Sequence, residues 1–180
     1  MLSKAQQQRV IMFVGASGSG KSTTRKMLSN SSEFKTRFVV SSTTRKLRSG
    51  EVNDVDYHFI TQEQFNQELN AGMYLETNRY VGNNYGMLLS EFNSLEDSEF
   101  LLLEIEMEGI KNVKRYYPYA TSIYIRVASP SILKQRLKQR KGTTPEDIAK
   151  RMDTLKTFEL AYRNNEFNYV ITTDSKEYDT

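Results

Sequence analysis

The stretch with the clearest chemical content reads Gly15-Ala16-Ser17-Gly18-Ser19-Gly20-Lys21-Ser22-Thr23, which fits the spacing G-x-x-x-x-G-K-[ST]. Glycines so placed let the backbone bend round a polyphosphate with its N–H groups turned inward. The N-terminus of a following helix adds partial positive charge at the same place. Lys21 would reach the terminal phosphates, and the Ser22 hydroxyl would sit on Mg²⁺. The required setting is strand, loop, helix. Val10-Ile11-Met12-Phe13-Val14 is a short apolar run rich in strand formers, and residues 24–28 can continue as a helix. A plain Gly/Ser connection between two core elements is the bland alternative.

Two carboxylates form a second feature. The unbroken apolar start of Phe100-Leu101-Leu102-Leu103-Glu104-Ile105-Glu106 predicts a strand covered on both faces. Residues i and i+2 of a strand face the same way, so Glu104 and Glu106 would share one face at the strand's end. Like charges so placed raise each other's pKa unless a cation or donor is near. Ligands of parallel sheets collect beyond the carboxyl ends of strands, where Mg²⁺ and a polar substrate beside Lys21 would compensate them. A strand running out into water would instead leave both acids merely solvated.

Arg45 and Arg48 lie in the polar, basic stretch 42–50, close to Ser41 and Tyr57. Guanidinium groups grip phosphate in a bidentate way, and a tyrosine hydroxyl adds a donor. The plainer reading is a basic loop facing solvent. Arg136, Arg140 and Arg151 flank the Lys141-Gly142-Thr143 break between two helices. Arginines on such a hairpin can swing over a transferring phosphoryl group and neutralise its charge, although arginines on surface helices are commonly just solvated. His58, the sole histidine, lies beside aromatics and reads as a packed side chain rather than a base.

These residues need elements to hold them. Phe38-Val39-Val40-Ser41 reads as a buried strand and Tyr57-His58-Phe59-Ile60 as a short one. Thr61 with Gln64 three residues on is a capping-box start, opening a helix with Phe65 and Leu69 on one face that ends at Gly72. Residues 74–80 and 81–85 read as extended pieces around a Gly82-Asn83-Asn84 turn. Residues 109–117 form a helix stopped by Pro118, and 122–127 a strand. Ser129-Pro130 and Thr144-Pro145-Glu146-Asp147 are helix starts, the second leading a long helix with Ile148, Met152, Leu155 and Phe158 at helical spacing. Tyr169-Val170-Ile171-Thr172 is the last strand. Strands alternating with helices imply an α/β fold, a parallel sheet with helices on both faces.

A chain of 180 residues suits one domain. With 25 Lys and Arg against 22 Asp and Glu the net charge is only +3, and no basic helix face appears, so a nucleic-acid role has little support. There is no cysteine, which excludes disulfides and thiolate metal sites. The polar residues 1–9 lack the apolar core of a signal peptide, and no run approaches the roughly 20 apolar residues of a membrane helix. The expected location is cytoplasmic.

Over nearly the whole chain these features resemble the guanylate kinase family of P-loop nucleoside monophosphate kinases. The loop at 15–23 looks like that family's nucleotide-binding loop. The run Ser41-Ser42-Thr43-Thr44-Arg45-Lys46-Leu47-Arg48-Ser49-Gly50-Glu51-Val52, followed by Asp56-Tyr57-His58-Phe59, is similar to its substrate-binding stretch and is far more specific. Gly82-Asn83-Asn84-Tyr85-Gly86 is close to the family's Gly-Asn-Tyr-Tyr-Gly, and Glu76 stands where the family has a base-reading glutamate.

The resemblance implies the P-loop kinase three-layer fold: a central parallel sheet, a small mixed α+β substrate-binding insert and a helical lid, within one domain. Residues 1–41, 97–135 and 155–180 would form the nucleotide-binding core, 42–96 the insert and 136–154 the lid. ATP would lie on residues 15–23. Arg45, Arg48, Tyr57 and Tyr85 would grip the phosphate of GMP. Ser41 and Glu76 would read the purine edge, Glu76 by accepting from guanine N1–H and the N2 amine. Glu104 and Glu106 would complete the substrate site. Lys21, Arg45, Arg140 and Arg151 would be the catalytic cations, with Ser22 and Glu104 holding Mg²⁺. The implied reaction is ATP + GMP ⇌ ADP + GDP. Its partners would be small nucleotides, with neither nucleic acid nor membrane, and a homodimer is left open.

The sequence departs from the family pattern in several places. Glu104 and Glu106 replace two aspartates, each carboxylate standing about one methylene further out. Met87 follows Gly86 where the family usually has Ser or Thr, and Thr173 stands near an asparagine associated with the ATP base. Lys141 replaces a lid glycine, and the chain stops at Thr180, short of the usual final helix. Phosphate handling is therefore expected intact, while base reading stays open. A different acceptor, either another nucleotide or a phosphorylated sugar, is the second reading. A non-catalytic interaction module is the third, although such modules tend to lose the phosphate loop that is present here.

Overall fold

Buried strands at the centre of this molecule carry apolar side chains on both faces, and that pattern sets the architecture. The computed structural model describes residues 2–48, 50–80, 82–93, 95–96, 98–139 and 143–174. In chain order the elements are α1 (Lys4–Gln8), β1 (Val10–Val14), α2 (Lys21–Ser29), β2 (Lys35–Phe38), β3 (Ser42–Thr43), β4 (His58–Phe59), α3 (Gln62–Asn70) and β5 (Tyr74–Tyr80). They continue with β6 (Asn83–Leu88), α4 (Ser90–Asn93), β7 (Glu99–Ile105), α5 (Met107–Tyr116), β8 (Thr121–Val127), α6 (Pro130–Gln139), α7 (Pro145–Arg163) and β9 (Tyr169–Thr173).

Five strands form one parallel sheet in the order β2-β7-β1-β8-β9. Alternation along β1 divides its side chains between two cores. Val10, Met12 and Val14 pack with Leu101, Leu103, Ile105 and the inner faces of α5, α6 and α7. Ile11 and Phe13 pack on the opposite face with Leu102, Ile125 and, from α2, Leu28. A second, four-stranded sheet, ordered β4-β3-β6-β5, is built by the expected insert.

Three local expectations are corrected. The strand expected at 38–41 lies earlier, at Lys35–Phe38, and is only half-buried. Its charged residues suit an edge strand because carboxylates wait beside it: Arg37 donates to Glu91 Oε2 at 3.3 Å and to Glu99 Oε2 at 3.4 Å. The hairpin turns before Asn83, which already pairs with Tyr80, so Asn83 and Asn84 belong to the strand. At Thr61 only half of the capping box forms. The Thr61 hydroxyl accepts from Gln64 N at 3.1 Å, but the Gln64 side chain donates onward to Glu68. The box at Thr144 and Asp147 is complete.

The face covered by α7 gathers aromatic rings around Tyr124. Tyr124 and Phe158, both fully buried, stack at 5.6 Å, and the Tyr124 hydroxyl donates to Glu159 Oε1 at 2.9 Å. Arg126 grips the same carboxylate with Nε and Nη2, both at 2.9 Å. Phe158→Ala should cost about 3–5 kcal/mol in urea unfolding, through lost transfer energy and a cavity. Met27→Ala, at a side chain 63% exposed on α2, should stay within about 0.5 kcal/mol.

Candidate functional site

The loop leaves β1 at Gly15, where no side chain can be accommodated. A Cβ there would lie 2.6 Å from the Ile125 carbonyl oxygen on β8 and 2.8 Å from Ser19 Oγ. Gly20 caps α2 at φ 105°, without a side-chain cap over the first-turn amides. Lys21, the first residue of α2, turns its ammonium back over the loop, donating to Gly15 O at 2.6 Å and Ala16 O at 3.1 Å. The loop is buttressed from the far side. Thr173 Oγ1 donates to Ser19 O at 2.9 Å, Arg136 Nη1 donates to the same oxygen at 3.3 Å, and Arg151 Nη1 donates to Ser17 Oγ at 2.8 Å. Arg151 therefore stands at the glycine loop. Arg140, together with Lys141, lies outside the described residues. Thr173, which the resemblance sets near the ATP base, is buried with its hydroxyl on backbone oxygens, and so serves as a strut under the loop.

Glu104 comes to the loop from β7, which pairs with β1 so that Glu104 lies opposite Phe13. Its Oε2 accepts from Ser22 Oγ and its Oε1 from Arg25 Nε, both at 2.8 Å. Glu106 does not share the strand. β7 ends at Ile105, and Glu106 is the N-cap residue of α5, exposed and without a cap hydrogen bond. The expected pair of strand-end carboxylates is thus split between two settings, with Glu104 on the loop and Glu106 at the start of α5, where its charge acts on Glu76. A hydroxyl and a carboxylate side by side are hard oxygen donors that fit Mg²⁺. Among the described residues no three His, Asp or Glu side chains converge to hold a metal, so phosphate oxygens and water would complete its shell.

The insert gathers a second set of groups. Arg45 forms a two-point ion pair with Glu51, at 2.9 and 2.8 Å, and its guanidinium carbon lies 5.5 Å from the Tyr57 ring centroid. Glu51 also accepts from Arg48 N at 2.8 Å. The Arg45 guanidinium holds the Glu51 carboxyl below its ordinary range. Tyr57 packs edge-on against Tyr85, and burial pushes its hydroxyl up. Arg45, Tyr57 and Tyr85 are brought together, while Arg48 is exposed, joined to them through its backbone. A cleft of about 180 Å³ separates the two sets, with Ser22, Arg25 and Glu104 on one wall and Ser41, Tyr57 and Met87 on the other. His58 is not packed away as expected; its Nδ1 lies 2.6 Å from Asp54 Oδ1 at the edge of the insert.

Glu76, opposite Met87 in the β5–β6 pairing, faces α5. Gly109 lets that helix approach, since a Cβ there would stand 2.9 Å from Glu76 Oε2. Burial pushes the Glu76 carboxyl up, Asn112 pulls it back through a 3.4 Å hydrogen bond, and the charges of Glu106 and Glu108 push it up again. Arg25, Glu51 and Asn112 were given no role of their own in the sequence, and Arg136 was named there only with the arginines flanking the interhelical break. Each is fixed by a partner far away in sequence or by an aperiodic spacing, and only Arg136 carried any signal, its place beside the interhelical break.

A family model described as guanylate kinase matches residues 7–179. The chain is 36% identical over 173 residues to a guanylate kinase of Chlorobium luteolum, covering 94% of this chain and 85% of that protein. It is 39% identical over 171 residues to one of Streptococcus pneumoniae, covering 94% and 81%. Its fold is like that of a crystal structure of guanylate kinase from Anaplasma phagocytophilum, with TM-score 0.65 and 24% identity over 91% of this chain and 76% of that one.

The half-buried Glu76 generates a prediction with a definite sign. Because the folded-state pKa of Glu76 lies above its unfolded value, the native state is favoured most below the unfolded value and loses this as pH rises through the folded one. Glu76→Gln should therefore raise the thermal midpoint at about pH 8, with the difference vanishing by about pH 4. Calorimetry at both pH values checks it.

Proposed function

The chain belongs to the guanylate kinase family, and on that premise we propose that it transfers the terminal phosphoryl group of ATP to GMP, giving ADP and GDP. The observation that carries this is the cleft itself, with the phosphate loop's Ser22 on one wall and Tyr57 of the Arg45–Tyr57–Tyr85 anion site on the other. Two anion sites across one narrow cleft suit two phosphorylated substrates reacting directly.

An oxygen of the GMP phosphate attacks the γ-phosphorus of ATP in line, the bond from that phosphorus to the bridging oxygen breaks, and ADP leaves with the electron pair. The protein's work is positioning and charge stabilisation. The loop amides and the N-terminus of α2 take the ATP phosphates. Lys21 exchanges the carbonyls of Gly15 and Ala16 for phosphate oxygens. Arg45, Arg48, Tyr57 and Tyr85 hold the GMP phosphate, with Glu51 orienting Arg45 from behind. Arg151, seated on Ser17 Oγ, is placed to meet charge developing above the loop; Arg140 is assigned the same role by family resemblance alone. Mg²⁺ would be held at Ser22 Oγ and phosphate oxygens, with Glu104 behind Ser22, and would neutralise charge on the transferring group.

Base reading falls to Ser41 and Glu76, with Glu106 beside Glu76. A half-buried carboxylate accepts from the N1–H and N2 amine of guanine, whereas adenine offers it no N1–H, and such mismatches are rejected by large factors. Met87 adds apolar contact at the cleft without a hydroxyl. No helix among the described residues is long and apolar enough to cross a membrane. A cytoplasmic site of action, beside the pools of ATP and GMP, belongs to this reading.

ADP release measured with ATP, Mg²⁺ and GMP, AMP, CMP or UMP in turn should give a kcat/KM for GMP at least about 100-fold above the others. Lys21→Ala should lower kcat by roughly 100- to 1000-fold. ATP binding without turnover on any of the four would sink the proposal and direct the search to phosphorylated sugars and then to protein partners.

A further inference from the structure

Arg25 has no part in the reading above, yet it ties the loop helix to the sheet. Its Nε donates to Glu104 Oε1 at 2.8 Å, and its guanidinium carbon lies 3.9 Å from the centroid of the Phe38 ring. Glu104 Oε2 accepts from Ser22 Oγ at 2.8 Å. Ser22 and Arg25 are three residues apart on α2 and so lie on one face of that helix, where they grip the two oxygens of one carboxylate between them. The Arg25 and Glu104 side chains are only 20% and 21% exposed, and both line the cleft beside Ser22.

This arrangement fixes a proton. A serine hydroxyl that donates to a carboxylate keeps its lone pairs for another partner. Left alone, a glutamate side chain with three rotatable bonds would have little reason to keep one oxygen on Ser22. Arg25, braced by Phe38, removes that freedom and balances the carboxylate's charge. We infer that Arg25 is a positioning residue for the divalent cation that accompanies ATP. It fixes Glu104 as the proton acceptor of Ser22, so that Ser22 presents its oxygen lone pairs to the cation and Glu104 acts from behind that ligand. The inference rests on the ATP-binding reading of the loop. The opposite role, in which Arg25 occupies the carboxylate and keeps cations away from it, requires the opposite sign in the test below.

The test titrates a fluorescent ATP analogue into the full chain with Mg²⁺ and again with EDTA. The ratio of the two dissociation constants isolates the cation's contribution from nucleotide binding itself. Arg25→Met keeps the apolar stem on Phe38 and removes the donor. It should cut the Mg²⁺-dependent gain in affinity roughly tenfold, the usual scale for losing an outer-shell partner, with the EDTA value nearly unchanged. Arg25→Lys keeps a point charge without the fixed fork and should give an intermediate gain; it carries the test if circular dichroism shows the Met variant unfolded. A gain equal to or above the parent's in a folded variant overturns the inference, because mere packing leaves the ratio unmoved and competition raises it. Failure of the parent chain to bind the analogue in both conditions would overturn the ATP-binding reading instead.

Discussion

Strand β1 is held between two parallel partners, and the register of those pairings governs what stands at its end. All of its residues are buried, with alternate side chains sent into two different cores. A one-residue slip against β7 would exchange those faces along the whole strand, so the register is strongly specified. The register in turn sets Glu104 opposite Phe13, level with the last turn of chain before the loop. The loop must then leave through a gap floored by the Ile125 carbonyl, which only a glycine can pass. Hydrophobic sorting at the centre of the sheet thus decides which carboxylate the phosphate loop meets.

Positive charge is concentrated around the cleft, and four of its cations are seated on acceptors of the protein. Lys21 sits on loop carbonyls, Arg45 on Glu51, Arg25 on Glu104 and Arg151 on Ser17. Seating of this kind holds long side chains in defined rotamers, which reduces the entropy lost when they grip an anion. The acceptors differ in what they cede. Lys21 and Arg151 lean on neutral oxygens, which an anionic phosphate readily outcompetes. Arg45 and Arg25 lean on carboxylates, and their charge is already balanced. Those two arginines are better suited to orient a neighbour or share a ligand than to be captured outright.

Much of this was legible in the chain because the strongest signals were local. The glycine spacing of the loop, the apolar run of β1, the Thr144-Pro145 helix start and the polar stretch after Ser41 each depend on residues close together in sequence. The sorting of acids did not follow. Glu104 and Glu106 looked equivalent by alternation, and it was the onset of α5 at Met107 that separated them. Nothing local in the sequence marks Arg25, because its partner lies 79 residues away. Lys35 and Arg37 were passed over as strand residues since charge argues against burial, but an edge strand with facing glutamates tolerates it. Thr173, noted in the sequence as a departure near a family asparagine, has its hydroxyl on the backbone oxygens of Ser19 and Arg126, partners 154 and 47 residues away that local sequence does not reveal.

The two sheets differ in how much apolar material holds them. The parallel sheet lies between two cores to which helices α2, α5, α6 and α7 contribute. The insert reaches the larger core through Leu75, Met87, Phe92 and Leu95, while its own outer cluster is small, with Phe65 stacked on Tyr74 at 4.7 Å over Gly86, where a Cβ would strike the Tyr74 ring. Its remaining cohesion comes from polar latches such as Thr43 to Asn84 and Arg45 to Glu51. Segments with few buried apolar contacts and solvent-accessible hydrogen bonds open at lower free energy than the core does. The stable half therefore carries the phosphate loop, which must hold its amides in place before any ligand arrives. The weaker half carries the groups assigned to the acceptor, where adjustment on binding costs least.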